Sequence, residues 1–232
     1  MAIALNSMSL EERFAALDDE KARFVSKVYS GLTFSLILAT ITCVIGIMNF
    51  KTMAPAQLIS TARTIGFIEL GLVLAAMFIR MNGAFGWLFL VAFVSVTGLS
   101  LAPILIIYER FAGSGTIAAA LGLTAAIFVT LSAYVRYTGK DFSYLGGFLW
   151  MATIGLMVTG LLLWFWPNEN IAYWKACIGA LIFCGWILFD TSAVTRQYYR
   201  DNNVVGAVLN LYLDIINLFI FLLQILGDRR RD

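Results

Sequence analysis

Two aspartates interrupt long apolar stretches in the C-terminal part of the chain. Asp190 ends one stretch, Asp214 lies within the next, and Asn202 lies twelve residues from each. If the two stretches are antiparallel helices joined near Asn202, both carboxyl groups lie about 10–15 Å from the joint, at a rise of 1.5 Å per residue. Carboxyl groups that face each other in a low-dielectric site are expected to share one proton and to act as a pH sensor. The spacing leaves a second interpretation equally open, in which each aspartate only hydrogen-bonds to a neighbouring helix.

Further polar residues recur along the last apolar stretch. Asn203, Asn210, Asn217 and Gln224 follow one another at intervals of seven, and Asp214 lies four residues after Asn210. This spacing puts all five on one face of a helix. Such a face must meet protein or water, because lipid offers no hydrogen bonds. We therefore expect a central helix with Asn210 and Asn217 on an ion path, the alternative being a polar seam between packed helices without conduction.

Glu69 and Arg80 are the ionisable residues of the second apolar stretch. They are eleven residues apart, almost three whole turns, and so project from the same face of a helix. With a cytoplasmic N-terminus, Arg80 lies on the same side of the membrane as the predicted hairpin tip. It can then reach the aspartate pair and hold it through a salt bridge. Taken alone, Arg80 fits better as a long side chain that anchors the helix at the membrane surface.

The elements that position these residues are predicted to be membrane-spanning helices. Hydrophobic residues make up 61% and charged residues 13% of the 232-residue chain, against roughly 45–50% and 25% in soluble domains. A bilayer-spanning helix needs about 20 mainly apolar residues. The stretches that qualify, or nearly so, are residues 28–48, 64–79 (or from about Leu58), 84–107, 116–135, 144–166, 171–189 and 204–226.

The chain divides into a transmembrane domain and two short end segments. Residues 1–27 lack the apolar core of a signal peptide and are interpreted as a cytoplasmic segment, either an amphipathic helix at the membrane surface or a solvated helix. Residues 28–226 form the transmembrane domain and residues 227–232 a charged tail. A cytoplasmic N-terminus puts nine Lys and Arg residues inside and four outside, with the three arginines of the tail not counted. The three arginines of the tail argue against a tail outside the cell, so the side of the membrane on which the tail lies stays open.

Composition also excludes several classes of function. The chain has no histidine, and its three cysteines form no Cys-x-x-Cys pair, so zinc sites and thiol redox chemistry have no support. A net charge of +2 gives no reason to expect a nucleic-acid partner, and no cofactor is implied. An intramembrane aspartyl protease is disfavoured, because neither aspartate follows the glycine that such enzymes carry before one aspartate. We therefore predict that the protein is not an enzyme.

Three segments resemble signatures of the Bax inhibitor-1 family, also called the transmembrane Bax inhibitor motif family. They are residues 181–191, which end in Phe-Asp-Thr, residues 209–219, which contain Leu-Asp-Ile-Ile-Asn, and the loop 139–145, Gly-Lys-Asp-Phe-Ser-Tyr-Leu. The separation of Glu69 and Arg80 also matches. The resemblance implies an all-α fold of seven transmembrane helices, with six wrapped around the C-terminal one. The chain departs from many members in having Phe189, not Tyr, before the first aspartate.

The resemblance also implies a function. Members are similar in acting as pH-sensitive calcium leak channels, in which residues matching Asp190 and Asp214 sense protons and a residue matching Arg80 latches the pore. A residue matching Glu69 belongs to the ion path, so Glu69, Asp190 and Asp214 are the expected calcium contacts. The short loops of this chain resemble those of bacterial members, which indicates that the protein lies in a bacterial inner membrane. The alternative is a non-conducting regulator that binds a membrane protease or another membrane partner.

Overall fold

The computed structural model describes residues 10–78 and 83–228, and the side chains of residues 17–76 and 83–228. Within these ranges the chain is helical and contains no β-strand. A 3-10 turn, Ser143–Leu145, precedes the fifth helix, and a π-helical turn, Val194–Tyr198, extends the sixth. The seven helices are α1 Leu10–Phe50, α2 Pro55–Phe78, α3 Gly83–Ala112, α4 Ser114–Thr138, α5 Gly146–Phe165, α6 Glu169–Ala193 and α7 Val204–Asp228.

All seven helices are long and apolar enough to cross a membrane, which confirms the prediction of an all-α polytopic fold. The first helix, α1, continues without a break from Leu10 to Phe50, so residues 10–27 and the first apolar stretch share one helix. The second helix begins at Pro55, earlier than residue 64 and close to the alternative start near Leu58. The sequence Pro-Ala-Gln-Leu fits a first turn, since proline lacks only an N–H that is unpaired there anyway.

The ends of the helices follow local residue chemistry. Gly139 ends α4 in the left-handed conformation, with φ 59°, and its N–H donates to the carbonyl of Val135 at 2.9 Å. Asn168 caps α6, where its side-chain oxygen accepts from the N–H of Ile171 at 3.0 Å. Asn202, at the tip of the α6–α7 hairpin, has φ 49°, a conformation that asparagine tolerates better than most residues.

The last helix occupies the centre of the bundle. It packs mainly against α1, α3, α4 and α6, while α2 packs on α3 and α5 packs on α6. No residue of α7 is exposed. In its most apolar part, 67% of the residues are buried, against 6% in α2 and 6% in α5. The expectation of a central C-terminal helix is thus confirmed, with four helices in direct contact and two in an outer layer.

Two glycines allow helices of the bundle to pack closely, one between α1 and α3 and one between α6 and α7. A methyl group at Gly98 of α3 would overlap the backbone of Ala39 in α1, and one at Gly179 of α6 would lie 2.6 Å from the ring of Phe221 in α7. Small residues let membrane helices approach until their backbones nearly touch, which gains van der Waals contact where lipid gives no hydrophobic drive. Gly179 thereby holds α7 against the helix that carries Asp190.

Candidate functional site

The α6–α7 hairpin brings Asp190 and Asp214 together in the interior. The two residues are 2% and 4% exposed, and their carboxyl groups are close enough to interact with each other. Equal spacing from Asn202 puts both at one depth, and the antiparallel packing of α6 on α7 turns them toward each other. The arrangement places two acidic groups side by side, away from water.

Two further side chains surround the pair. Oδ1 of Asp190 accepts from the Tyr198 hydroxyl at 3.1 Å and faces Nδ2 of Asn210 at 3.5 Å, and this amide also contacts the Tyr198 hydroxyl. Oδ2 of Asp214 is buried and has no hydrogen-bond donor among the described residues. We call Asp190, Tyr198, Asn210 and Asp214 the aspartate cluster. Its donors are all on the side of Asp190, so the two carboxyl groups are not equivalent.

Tyr198 reaches Asp190 because of the π-helical turn. In a regular α-helix a residue eight positions further on lies about 80° away around the axis. Residues Val194–Tyr198 form a π-helical turn, which has more residues per turn than an α-helix. Each residue therefore advances by a smaller angle around the axis, and this brings Tyr198 back over Asp190. Helical side chains also lean toward the N-terminus of the helix, so the phenol covers much of the axial distance. Periodicity at 3.6 residues per turn did not indicate Tyr198, and π-helical turns are often found at functional sites.

The polar stripe of α7 divides in the structure. Asn210 belongs to the aspartate cluster, whereas Nδ2 of Asn217 donates to the carbonyl of Leu213 in its own helix at 2.8 Å. Oδ1 of Asn203 accepts from the N–H of Gly206 at 2.8 Å and so caps the first turn of α7. The three asparagines of the stripe therefore have three roles: an interhelical contact, a bond within the helix and a helix cap.

Glu69 lies in a different cluster. Its Oε2 accepts from the hydroxyl of Ser100 in α3 at 2.7 Å, and Ser100 is buried. The Ser100 hydroxyl also lies 2.9 Å from the carbonyl of Thr97, and the fully buried Tyr212 of α7 lies within the field of Glu69. The Tyr212 hydroxyl forms no hydrogen bond with the described part of the chain. We call these four residues the Glu69 cluster.

The three carboxyl groups expected to contact calcium do not form one site. Asp190 and Asp214 meet between α6 and α7, whereas Glu69 is bonded to α3. Among the side chains of residues 17–76 and 83–228, no group of three of the Asp, Glu, Cys or His type comes together as a potential metal site. Spacing along a single helix could not show this, because the separation depends on how α2 packs against its neighbours. The predicted latch, Arg80, lies outside the described residues.

The loop between α4 and α5 is fastened to the end of α6. Arg196, in the π-helical turn, pairs with Asp141 and donates from Nη2 to the carbonyl of Gly139 at 2.9 Å. The N–H of Phe142 donates to the hydroxyl of Ser192 at 3.3 Å. These bonds hold Ser192 and Arg196, which lie just before and within the π-helical turn that ends at Tyr198. The loop therefore braces the turn that completes the aspartate cluster.

The electrostatics of this loop favour the ion pair. The pKa of Asp141 is lowered, first by the backbone N–H of Ser143 and then by the charge of Arg196, although some desolvation acts in the opposite direction. The N–H of Ser143 donates to Oδ1 of Asp141 at 2.9 Å, an Asx-type turn. Asp141 is therefore charged at neutral pH and available to Arg196.

Comparison with known proteins identifies the family. Residues 21–231 match the family described as Inhibitor of apoptosis-promoting Bax1. The chain belongs to the Bax inhibitor-1 family. The chain is similar to a membrane protein of Vibrio cholerae, at 33% identity over 90% of this chain and 92% of the relative. It is also similar to the Golgi anti-apoptotic protein of Vaccinia virus at 32% identity and to Protein lifeguard 4 of Mus musculus at 31%, each over 88% of this chain and 84% of the relative.

Within this Bax inhibitor-1 family member, Phe189 has a packing role. Its ring makes an edge contact with Trp186, with centroids 5.4 Å apart, and it fills the space above Gly146, where a methyl group would come within 2.9 Å. Phe189 offers no hydroxyl to the aspartates. The hydroxyl partner of Asp190 comes instead from Tyr198, on the far side of the π-helical turn.

Proposed function

We propose that this protein is a pH-sensitive leak channel for calcium or another cation in the bacterial inner membrane, with a cytoplasmic N-terminus. The observation that carries the proposal is the pair of carboxyl groups, 2% and 4% exposed, that meet beside the central helix. Acidic residues inside membrane segments are rare and usually mark ion paths or proton relays, because charge is costly away from water. The coarser statement, a membrane protein of this family, rests on the comparisons above.

A shared proton explains the unequal surroundings of the two aspartates. Two charged carboxylates side by side repel each other, whereas one proton between them lets one donate to the other. Asp190 already receives hydrogen bonds from Tyr198 and Asn210, which suit a carboxylate. Asp214 has an oxygen without a donor among the described residues, so it is the better carrier of the proton. In this state the pair keeps one negative charge.

That single charge is what the predicted Arg80 latch requires. An arginine bonded to the pair would hold the end of α2 against the α6–α7 hairpin. A second proton neutralises the pair, which removes the ion pair and weakens the link between α6 and α7. The central helix then has fewer bonds that hold it in the closed position. We therefore expect flux to increase as pH falls.

The ion path that we propose follows the polar side chains of α7. Calcium is bound by oxygen ligands, and carboxylate and amide oxygens supply them. Asp214, Asn210 and Asn217 provide such oxygens along one side of α7, and Asp190 adds its own from α6. Glu69, which accepts a hydrogen bond from Ser100, provides a separate contact. A permeating ion would meet these groups one after another, which favours passage over tight binding.

Flux through liposomes tests the proposal. The purified protein is reconstituted, and calcium entry is followed with an enclosed indicator from mildly alkaline to acidic pH. We expect low flux that rises on acidification in the wild type, and high flux at every pH in D190N/D214N, because two amides imitate the fully protonated pair. The variant D201N/D228N removes two aspartates near the ends of α7 and should behave like the wild type. Equal pH dependence in wild type and D190N/D214N would refute the gate, and no flux in any form would refute the channel.

The alternative, a regulator of a membrane protease or another membrane partner, is favoured by the outer helices. Gly66 and Gly71 in α2, and Gly147 and Gly155 in α5, have no heavy atom of the described chain within 4 Å of the position of an added methyl group. Open glycines permit a partner helix to approach closely. Crosslinking in native membranes, compared between wild type and G66L/G71L, tests this role. A partner lost in the variant, without change in flux, would support it.

A further inference from the structure

A cavity of about 530 Å³ lies between α1, the end of α4 and the end of α6, apart from the aspartate cluster. Its wall is basic and rich in hydroxyl groups. No carboxylate of the described residues lines it. The polar residues of the wall are Lys21, Ser26 and Tyr29 of α1, Arg136 of α4, and Thr191 and Thr195 at the end of α6.

The inner part of the wall contains an unused hydrogen-bond donor. The hydroxyl of Tyr29 is shielded from solvent and makes no hydrogen bond to the described residues. It lies near the hydroxyls of Ser132 and Thr191 and within the field of Arg136. Ser132 and Thr191 instead face each other at 3.4 Å. A buried hydroxyl without a partner is unfavourable, so rotation of the Tyr29 side chain toward a ligand that offers an acceptor would gain a hydrogen bond.

Three acidic residues of this region are engaged with other groups, and a fourth, Asp18, precedes Lys21 by three residues on α1. Asp141 pairs with Arg196, Glu20 accepts from the hydroxyl of Tyr199 at 3.2 Å, and Asp19 lies 3.7 Å from Arg23. Lys21 and Arg136 have no such partner in the described structure and both reach the cavity. Two cations, several hydroxyl groups and no lining carboxylate form a surface that attracts anions and repels cations. The cavity therefore suits an anionic ligand, whereas the ion proposed for the channel is a cation.

We propose that this cavity binds a phosphate group, carried either by an anionic phospholipid or by a small soluble anion. Arginine matches the oxygens of phosphate through paired N–H groups, and lysine adds a point charge. The hydroxyl of Ser26, on the wall of the cavity, supplies a neutral donor beside them. Basic pockets between helices at the end of a membrane bundle are suited to lipid headgroups. The inference does not depend on whether the protein conducts ions.

Native mass spectrometry of the full-length protein in detergent tests the proposal. The probes are phosphatidylglycerol, zwitterionic phosphatidylcholine and inorganic phosphate. We expect the wild type to retain phosphatidylglycerol or phosphate in preference to phosphatidylcholine, and K21Q/R136Q to bind about tenfold less. Y29F should also weaken binding, without a change in charge. The matched control R23Q/R200Q removes two cations from the same end of the bundle, away from the cavity, and should bind like the wild type.

The results distinguish the source of the phosphate and the failure of the idea. Displacement of phosphatidylglycerol by inorganic phosphate identifies a soluble anion, and retention of the lipid identifies a headgroup site. Equal binding in the wild type and K21Q/R136Q would overturn the proposal. So would an equal loss in R23Q/R200Q, because it would mean that only the overall charge of this face matters. Circular dichroism of each variant establishes that the helices are intact.

Discussion

The central helix α7 and the outer helix α5 are almost equally apolar and have opposite positions. Their most apolar windows have mean hydropathies of 2.0 and 1.9, yet 67% of the first and 6% of the second is buried. The difference lies in the polar residues, since α7 contains Asn210, Asp214 and Asn217, and α5 contains no charged or amide side chain. Total hydropathy therefore predicts that a helix crosses the membrane, and polar side chains decide whether it faces protein or lipid.

The largest difference between the two helices should appear in stability. Leu218 of α7 is 0% exposed and Leu161 of α5 is 61% exposed. We expect L218A to lower the free energy of unfolding by about 1–3 kcal/mol, because it leaves a cavity that neighbours fill only in part. The matched variant L161A should cost less than about 1 kcal/mol, because lipid chains replace the lost methyl groups. Thermal unfolding in detergent measures both, and equal losses would mean that α5 is also buried.

A smaller effect is expected from the hydroxyl that supports the aspartate cluster. Y198F removes the donor 3.1 Å from Asp190, at a net cost of about 1 kcal/mol to the closed state. Flux at mildly alkaline pH should then increase about fivefold. Y199F provides the matched control, because the neighbouring hydroxyl bonds only to Glu20 among the described residues. An equal increase in both variants would show that the cluster does not depend on Tyr198.

The smallest effect is expected at the loop that braces the π-helical turn. D141N removes an exposed ion pair with Arg196, so its melting temperature should fall by only roughly 1–2 °C. The pKa of Asp141 is lowered in the folded protein. Its stabilisation is therefore present above the ordinary aspartate pKa and is lost as pH falls through the lowered pKa. The difference between wild type and D141N should thus disappear in strong acid, and a difference that persists there would point to another cause.

Periodicity and length were enough to predict much of this molecule. Seven apolar stretches and a polar face at intervals of seven residues indicate the spans and the central helix, because these features are local to each helix. Two positions equally far from Asn202 likewise lie at one depth in any antiparallel hairpin.

Other features depend on packing or on irregular turns. Tyr198 meets Asp190 only because five residues form a π-helical turn, which a regular period does not show. Asn217 bonds to the backbone of its own helix, and Asn203 caps the first turn of α7. Such bonds within one helix compete with bonds between helices. Glu69 is held by Ser100 in α3, a contact that depends on the packing of two helices. None of these is encoded in the spacing along a single helix.

The central claim is that Asp190 and Asp214 act as one proton-sharing unit. A double-mutant cycle on calcium flux, with D190N, D214N and D190N/D214N measured across the same pH range, tests it most directly. If the pair shares one proton, an amide at either position stands in for the protonated partner and leaves one carboxylate that still titrates. Each single variant should then keep a pH-dependent flux with a shifted midpoint, and only the double variant should lose the pH dependence. Loss of the pH dependence in one single variant, with an unchanged midpoint in the other, would show that one aspartate acts alone and would contradict the account.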